Sequence, residues 1–306
     1  MNFDEAGVIA ALARIFGGGH RGVEIGIGDD AAVVKTGNRT VITTDLAVEG
    51  THFRTQWSSA FEIGRKVTAA NLADVYAMGG SPNYLVVAVT LTGAETLAWI
   101  EELAEGIAHE ARSCGAYVVG GDLAKGPCKV ISITAVGQIE TAITRSGAKV
   151  GDWICISSLP GWSAAGLELI EKDLDTDLAQ HAMSEFCAPT VDYSAAVQFA
   201  NAGANSLSDI SDALVIQAQQ MASASGVAFA LDQGLISAHP EFGSLKELAD
   251  TQGIDVWQWI FAGGEDHVFL ATGVKLAGFR IGTVVAGEGV IGVEMKKAPA
   301  TWRHFR

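Results

Sequence analysis

The stretch from Ser58 to Ser113 constrains the fold of this 306-residue chain more than any other. Residues 58–79 read as a long helix, opened by Ser58-Ser59 and closed by Gly79-Gly80, with Pro82 just beyond. A Val- and Leu-rich run at 84–92 then reads as a buried strand, and 94–113 as a second long helix. Long helices with strands between them point to a mixed α/β or α+β fold.

The flanking sequence extends this pattern. Residues 4–16 read as a short amphipathic helix, ended by Gly17-Gly18-Gly19. Two β-like stretches, 31–34 and 40–44, are joined by a Gly-Asn turn and are close enough to pair antiparallel. A short strand at 117–119 runs into Gly120-Gly121-Asp122, and 129–139 is a further strand. The polar segment 145–152 reads as a linker into a second half with strands at 153–157, 227–232, 267–271 and 280–286. Helices are expected there at 163–172, 190–202, 212–225 and 244–252. At roughly 150 residues per domain, two domains follow, 1–140 and 141–306.

Charge narrows the partners. Twenty Lys and Arg stand against 35 Asp and Glu, a formal charge of −15, yet only 18% of residues are charged and 49% are hydrophobic. That is enough apolar material for a large core. The acidic excess argues against nucleic acid and anionic membranes, whose phosphates are held mainly by Lys and Arg. The four scattered cysteines form no C-x-x-C pair and no disulfide framework, and are read as packed core residues. The start Met1-Asn2-Phe3-Asp4-Glu5 has no basic, apolar leader, and the run 84–91 is too short to span a bilayer. A soluble cytoplasmic protein is expected.

Familiar ligand motifs fail. There is no G-x-x-x-x-G-K-[ST]. Gly26-Ile27-Gly28-Asp29-Asp30-Ala31 fits G-x-G-x-x-A formally but lacks the strand before it and the helix after it, and its two aspartates would repel a pyrophosphate. Asp173-x-Asp175-x-Asp177 starts like a calcium loop, but Leu178 stands where Gly is needed and Ser184 where Glu is needed, so it reads as a solvated acidic turn. The seven histidines show no close zinc spacing.

What remains is a set of acidic residues in Gly-, Thr- or Ser-bearing turns. They are Asp29-Asp30, Asp45 after Thr43-Thr44, Asp74, Asp122 after Gly120-Gly121, Asp209 and Asp212, and Glu265-Asp266 after Gly263-Gly264. Asp45 and Asp122 are each expected to end a β-like stretch; Asp209 and Asp212 lie around a helix start, where a cap alone would explain them. Asp74 falls among apolar helix residues that would not keep a lone carboxylate. Converging carboxylates repel unless protonated or neutralised by cations. Oxygen ligands select Mg²⁺, Ca²⁺ or Mn²⁺, and Mg²⁺ commonly bridges carboxylates to substrate phosphates. An acidic chain can bind an anionic nucleotide in this way.

Gly26–Ala32, Thr44-Asp45-Leu46-Ala47-Val48-Glu49-Gly50-Thr51-His52-Phe53 and Asn71-Leu72-Ala73-Asp74-Val75-Tyr76-Ala77-Met78-Gly79 follow in order. They are followed by Gly120-Gly121-Asp122, Arg145–Asp152, Asp209-Ile210-Ser211-Asp212 and Gly263-Gly264-Glu265-Asp266. This ordered set resembles the thiamine-monophosphate kinase family, within the ATP-binding superfamily that includes aminoimidazole ribonucleotide synthetase. The resemblance implies an N-terminal ATP- and Mg²⁺-binding domain whose sheet forms a barrel across a homodimer. It also implies a C-terminal α/β domain that closes the active-site cleft, and ATP-dependent phosphorylation of thiamine monophosphate to thiamine diphosphate. Asp30, Asp45, Asp74, Asp122, Asp209 and Asp212 match magnesium contacts of the family, with Thr43 and Thr44 adding oxygens. Gly121, Asp122, Arg145 and Ser211 match ATP contacts, and His52, Glu265 and Trp302 match substrate contacts. No general base is implied, because the acceptor is a phosphate oxygen.

The chain departs from the family pattern at Ala73, Leu123, Trp162 and Ala213, where Ser, Thr, a smaller residue and Gly are usual. Among sister enzymes, selenophosphate synthetase carries a reactive residue near its N-terminus, whereas the first cysteine here is Cys114. The hydrogenase-maturation dehydratase ends in a cysteine, whereas this chain ends His304-Phe305-Arg306. Aminoimidazole ribonucleotide synthetase and a non-catalytic nucleotide-binding dimer are the alternatives.

Overall fold

A computed structural model describes residues 5–17, 22–25, 33–172 and 174–293. It is a mixed α/β structure with helices and two main sheets, and the chain divides into two compact units. Residues 1–76 and 80–141 form the first, and 77–79 with 142–306 the second.

The first unit contains α1 (Glu5–Phe16), β1 (Val23–Ile25), β2 (Val33–Val34), β3 (Thr40–Val48), α2 (Ala60–Ala77), β4 (Ser81–Leu91), α3 (Leu97–Ser113), β5 (Tyr117–Lys125) and β6 (Val130–Gln138). Helix α2 starts on a reciprocal cap: the Ser59 N–H donates to Glu62 Oε2 at 2.7 Å, and the Glu62 N–H donates back to Ser59 Oγ at 3.2 Å. Helix α3 is capped by the Thr96 hydroxyl, which accepts from the Trp99 N–H at 3.1 Å. Strands β3, β6, β4 and β5 lie side by side in that order. The β4–β5 pair is parallel and so needs the α3 crossover; the others are antiparallel. Alternation is clearest on β6, where Ile131, Ile133 and Ala135 are fully buried and Ser132 and Thr134 are not.

Three expectations change here. The stretches 31–34 and 40–44 were expected to pair with each other. Instead β2 pairs with β1, and β3 pairs with β6 over its whole length. Asp45 and Asp122 lie inside strands, not at their ends. Leu46-Ala47-Val48 continues the β3 ladder against β6, and β5 continues past its glycines by pairing with β4 through a bulge near Leu85 and Val86.

The second unit contains β7 (Trp153–Ile156), α4 (Trp162–Leu169), α5 (Asp177–Cys187), α6 (Tyr193–Asn201), β8 (Ser206–Ile210), α7 (Leu214–Ser225), β9 (Ala228–Leu231), α8 (Gln233–Ser237), α9 (Phe242–Gln252), α10 (Val256–Ala262), β10 (Val268–Gly273), β11 (Phe279–Val285) and β12 (Gly289–Ile291). Its six-stranded sheet runs β12-β9-β11-β7-β10-β8, antiparallel except between β12 and β9. Ile154, Ile156, Phe229, Leu270 and Ile281 of this sheet share one core with Leu214 and Met221 of α7 and Ile260 of α10. Among the described residues, no helix is long and apolar enough to cross a membrane. All four cysteines are free, and burial pushes the Cys155 thiol up to about 11, which fits a packing role.

Candidate functional site

In the first unit the site is built on the seam between β3 and α2. Period-two alternation turns Thr43, Asp45 and Ala47 toward the helical side of the sheet, and leaves Ile42, Thr44 and Leu46 exposed on the other. Thr43 Oγ1 donates to Asp74 Oδ2 at 2.7 Å. One helical turn earlier, the fully buried Asn71 accepts the Asp45 N–H at 3.1 Å through Oδ1 and donates to the Val67 carbonyl at 3.0 Å. Two rungs therefore tie strand to helix and set Asp45 and Asp74, both half-buried, along one seam. The carboxylate at Asp74 thus has a polar setting, provided from the strand.

Asp122 is placed differently. It pairs in register with Ala88, which is opposite Ser132, which is opposite Leu46, so its side chain belongs to the open face with Leu46. Thr44 also lies on that face; its hydroxyl donates to the Ile133 carbonyl and accepts from Thr134, each at 3.1 Å. Gly121 has a backbone reason to be glycine, since a Cβ there would lie 2.0 Å from the Val87 carbonyl oxygen. His52 Nδ1 accepts the Val48 N–H at 3.1 Å, which fixes the ring against the end of β3 and leaves Nε2 as the protonated nitrogen.

In the second unit, the segment 263–267 is laced to 209–212. The Glu265 N–H donates to the Ser211 carbonyl at 2.6 Å and the His267 N–H to the Ile210 carbonyl at 3.0 Å. A Cβ at Gly264 would meet the Asp212 carbonyl oxygen at 2.4 Å, so the crossing needs a bare backbone. Asp209 lies in β8, buried, and not at a helix start; α7 begins at Leu214 behind Ala213. The Arg145 Nε donates to Ser208 Oγ at 3.3 Å, beside Asp209. Ser211 Oγ accepts from Gln217 Nε2 at 3.3 Å, while Gln217 Oε1 accepts the Ala213 N–H at 3.1 Å.

Asp266 is buried and accepts the Gly161 and Ser163 N–H groups, each at 2.9 Å, at the start of α4. Burial pushes its carboxyl up to about 6, and these two bonds work against that rise. Trp162 is a core residue whose Nε1 donates to Glu241 at 3.4 Å and whose ring meets His181 edge-on at 4.5 Å. Ala213 has φ −178°, extended backbone that any residue adopts, so the absent glycine costs nothing there. Asn71, Gln217 and His267 escaped the sequence reading as site residues. Asn71 had a signal, since it sits one turn before Asp74 on the same helix.

Asp30 and Trp302 lie outside the described residues. Among the described residues, no three or more His, Cys, Asp or Glu side chains are grouped to hold a metal ion. Asp45 and Asp74 are the pair brought to one seam. Their donor set, carboxylates beside a hydroxyl and an amide, is all oxygen and suits a hard cation such as Mg²⁺.

The first unit thus carries its carboxylates and a glycine-lined backbone on a crossover sheet, in a chain with no P-loop sequence. Residues 28–139 match the family model described as AIR synthase related protein, N-terminal domain. The thiamine-monophosphate kinase of Corynebacterium glutamicum is 35% identical over 295 residues, covering 91% of this chain and 88% of that one. The crystal structure of the Stenotrophomonas maltophilia thiamine-monophosphate kinase superposes with TM-score 0.80 at 28% identity, covering 92% of this chain and 93% of that one. AaThiL complexed with AMPPCP and TMP superposes with TM-score 0.81 at 29% identity, covering 98% and 97%. The chain belongs to the thiamine-monophosphate kinase family.

Proposed function

We propose that this chain transfers the γ-phosphoryl group of ATP to thiamine monophosphate, giving thiamine diphosphate and ADP. The observation that carries the reading is likeness over nearly the whole chain to a relative solved with AMPPCP and TMP. The aspartates matched in the described residues are all present.

The acceptor is a phosphate oxygen, ionised at neutral pH, so positioning and charge neutralisation carry the catalysis. Asp30, Asp45, Asp74, Asp122, Asp209 and Asp212, with oxygens of Thr43 and Thr44, would hold several Mg²⁺ ions. Magnesium, when bound, offsets the repulsion between two phosphate groups. Arg145, Ser211 and the Gly121 backbone would bind ATP; His52, Glu265 and Trp302 would orient the thiamine substrate. The Thr43 and Asn71 bonds hold the Asp74 side chain and the Asp45 backbone before substrate arrives, so little reorganisation is left to the reaction.

The domain roles belong to the same proposal: residues 1–140 bind ATP and Mg²⁺ and dimerise, and residues 141–306 close the cleft. The open sheet face supports pairing into a barrel across a homodimer. Ile42 is 66% exposed, Leu46 55% and Val86 40%, side by side on β3 and β4 around β6. Asp122 shares that face, so a second copy laid on it would bring new neighbours to this carboxylate. Incubation with ATP, Mg²⁺ and thiamine monophosphate tests the function. Thiamine diphosphate is the expected product; its absence, with aminoimidazole ribonucleotide formed from the corresponding amidine substrate, would favour the sister enzyme.

A further inference from the structure

His267 has no part in the chemistry above, yet it is nearly as buried as the aspartate it touches. Its Nδ1 lies 3.0 Å from Asp209 Oδ2, with the two side chains 9% and 4% exposed. A carboxylate only accepts, so Nδ1 carries the proton and donates. Among the described residues the other oxygen, Oδ1, accepts no hydrogen bond. One oxygen is pinned and its twin is left for a ligand.

The backbone is bent to achieve this. His267 has φ 52°, left-handed, two residues after Glu265 at φ 64°. Such values are uncommon outside glycine, with His and Asn among the residues that tolerate them. Immediately after His267 the chain enters β10, where Phe269 is opposite Asp209 in the antiparallel register. The left-handed turn returns the imidazole from the strand entrance onto a carboxylate two positions along the facing strand.

We propose that His267 is the positioning residue for Asp209: it holds Oδ2 so that Oδ1 meets the Mg²⁺ that accompanies ATP. This rests on Asp209 being a metal ligand, as proposed above. A ligand aspartate whose outer partner is lost typically loses ten- to a hundredfold in metal affinity or activity.

Two substitutions separate positioning from packing. The Asn side-chain nitrogen is bonded to Cγ, as Nδ1 is, and Asn accepts a left-handed φ. The Gln nitrogen is one atom further out and corresponds to Nε2. His267→Asn should keep the Mg²⁺ concentration for half-maximal turnover within about threefold of wild type. His267→Gln should raise it about tenfold, with the KM for thiamine monophosphate little changed. Asp209→Asn should itself raise the Mg²⁺ requirement, and adding His267→Gln to it should raise it no further. Equal Mg²⁺ requirements in the Asn and Gln variants, or additive effects in the double variant, would overturn the positioning role while leaving Asp209 a ligand. An unchanged Mg²⁺ requirement in Asp209→Asn would overturn the ligand role, and the positioning role with it. Melting temperatures without metal confirm that folded protein is compared. The rise on adding Mg²⁺ and ATP without thiamine monophosphate reads binding apart from turnover: it should be kept in His267→Asn and reduced in His267→Gln, and an equal rise in both would overturn the positioning role.

Discussion

The Thr43 hydroxyl donates to the Asp74 carboxylate across 2.7 Å, joining strand β3 to helix α2. A threonine in a strand and an aspartate in an apolar helix explain each other: the strand supplies a polar partner for the carboxylate. Asp74→Asn keeps the shape but loses the charge. Turnover should fall about 100-fold or more while the fold is retained. Thr43→Val removes the hydroxyl, which is both the donor to Asp74 and a proposed magnesium-binding oxygen, and should cost about tenfold or more. Steady-state rates with thermal melting check both, and near-normal turnover in Asp74→Asn would remove it from the metal site.

Gly121 is needed where β5 passes close to β4. In Gly121→Ala the new Cβ must displace the Val87 backbone, since 2.0 Å separates their positions. A loss of about 1–3 kcal/mol is expected in urea unfolding. No loss would mean that β5 shifts freely along β4.

Acid should weaken the first unit through Glu95. Burial alone would push this carboxyl up, but bonds from the Thr92 hydroxyl and from the Glu95, Gly93 and Thr92 N–H groups bring it down to about 2. The folded value lies below the unfolded value of about 4.3, so folding favours the ionised form. The stabilisation is complete above about pH 4.5 and is lost as pH falls toward 2. Glu95→Gln should therefore be less stable than wild type at pH 7, with the difference shrinking on acidification. A constant difference in denaturation midpoints from pH 7 to 3 would contradict this.

Leu46, on the edge strand β3, is 55% exposed on the open sheet face. Leu46→Glu should convert a dimer to a monomer in light scattering and lower turnover with it. A wild type that is monomeric at micromolar concentration would contradict the paired-sheet proposal.

The sequence made the helices at 58–79 and 94–113 legible because their caps, Ser59 with Glu62 and Thr96, are local. It hid β8. Ser206-Leu207-Ser208-Asp209-Ile210 has a turn-like composition, yet all five residues are buried. Their polar atoms are satisfied from far along the chain: Ser206 Oγ meets Thr272 Oγ1 at 2.7 Å, and Asp209 meets His267. Helices α5, α8 and α10 were missed as well. For α5 the acidic start at Asp175 and Asp177 reads as a turn, whereas Thr176 caps the helix by accepting the Ala179 N–H at 3.3 Å. The aspartates themselves stood out because they recur in Gly-, Thr- or Ser-bearing turns of a chain that is only 18% charged. Which face each occupies was not legible, because the ends of β3 and β5 are set by pairing partners outside any local window.

The central claim is transfer of phosphate to thiamine monophosphate at a magnesium-dependent site. The direct measurement supplies ATP labelled in its γ-phosphate, with Mg²⁺ and thiamine monophosphate, and locates the label. It should appear in the terminal phosphate of thiamine diphosphate, one for each ADP formed, and Asp45→Asn and Asp122→Asn should abolish it without unfolding the protein. Label released only as inorganic phosphate, or undiminished transfer in both variants, would contradict the account.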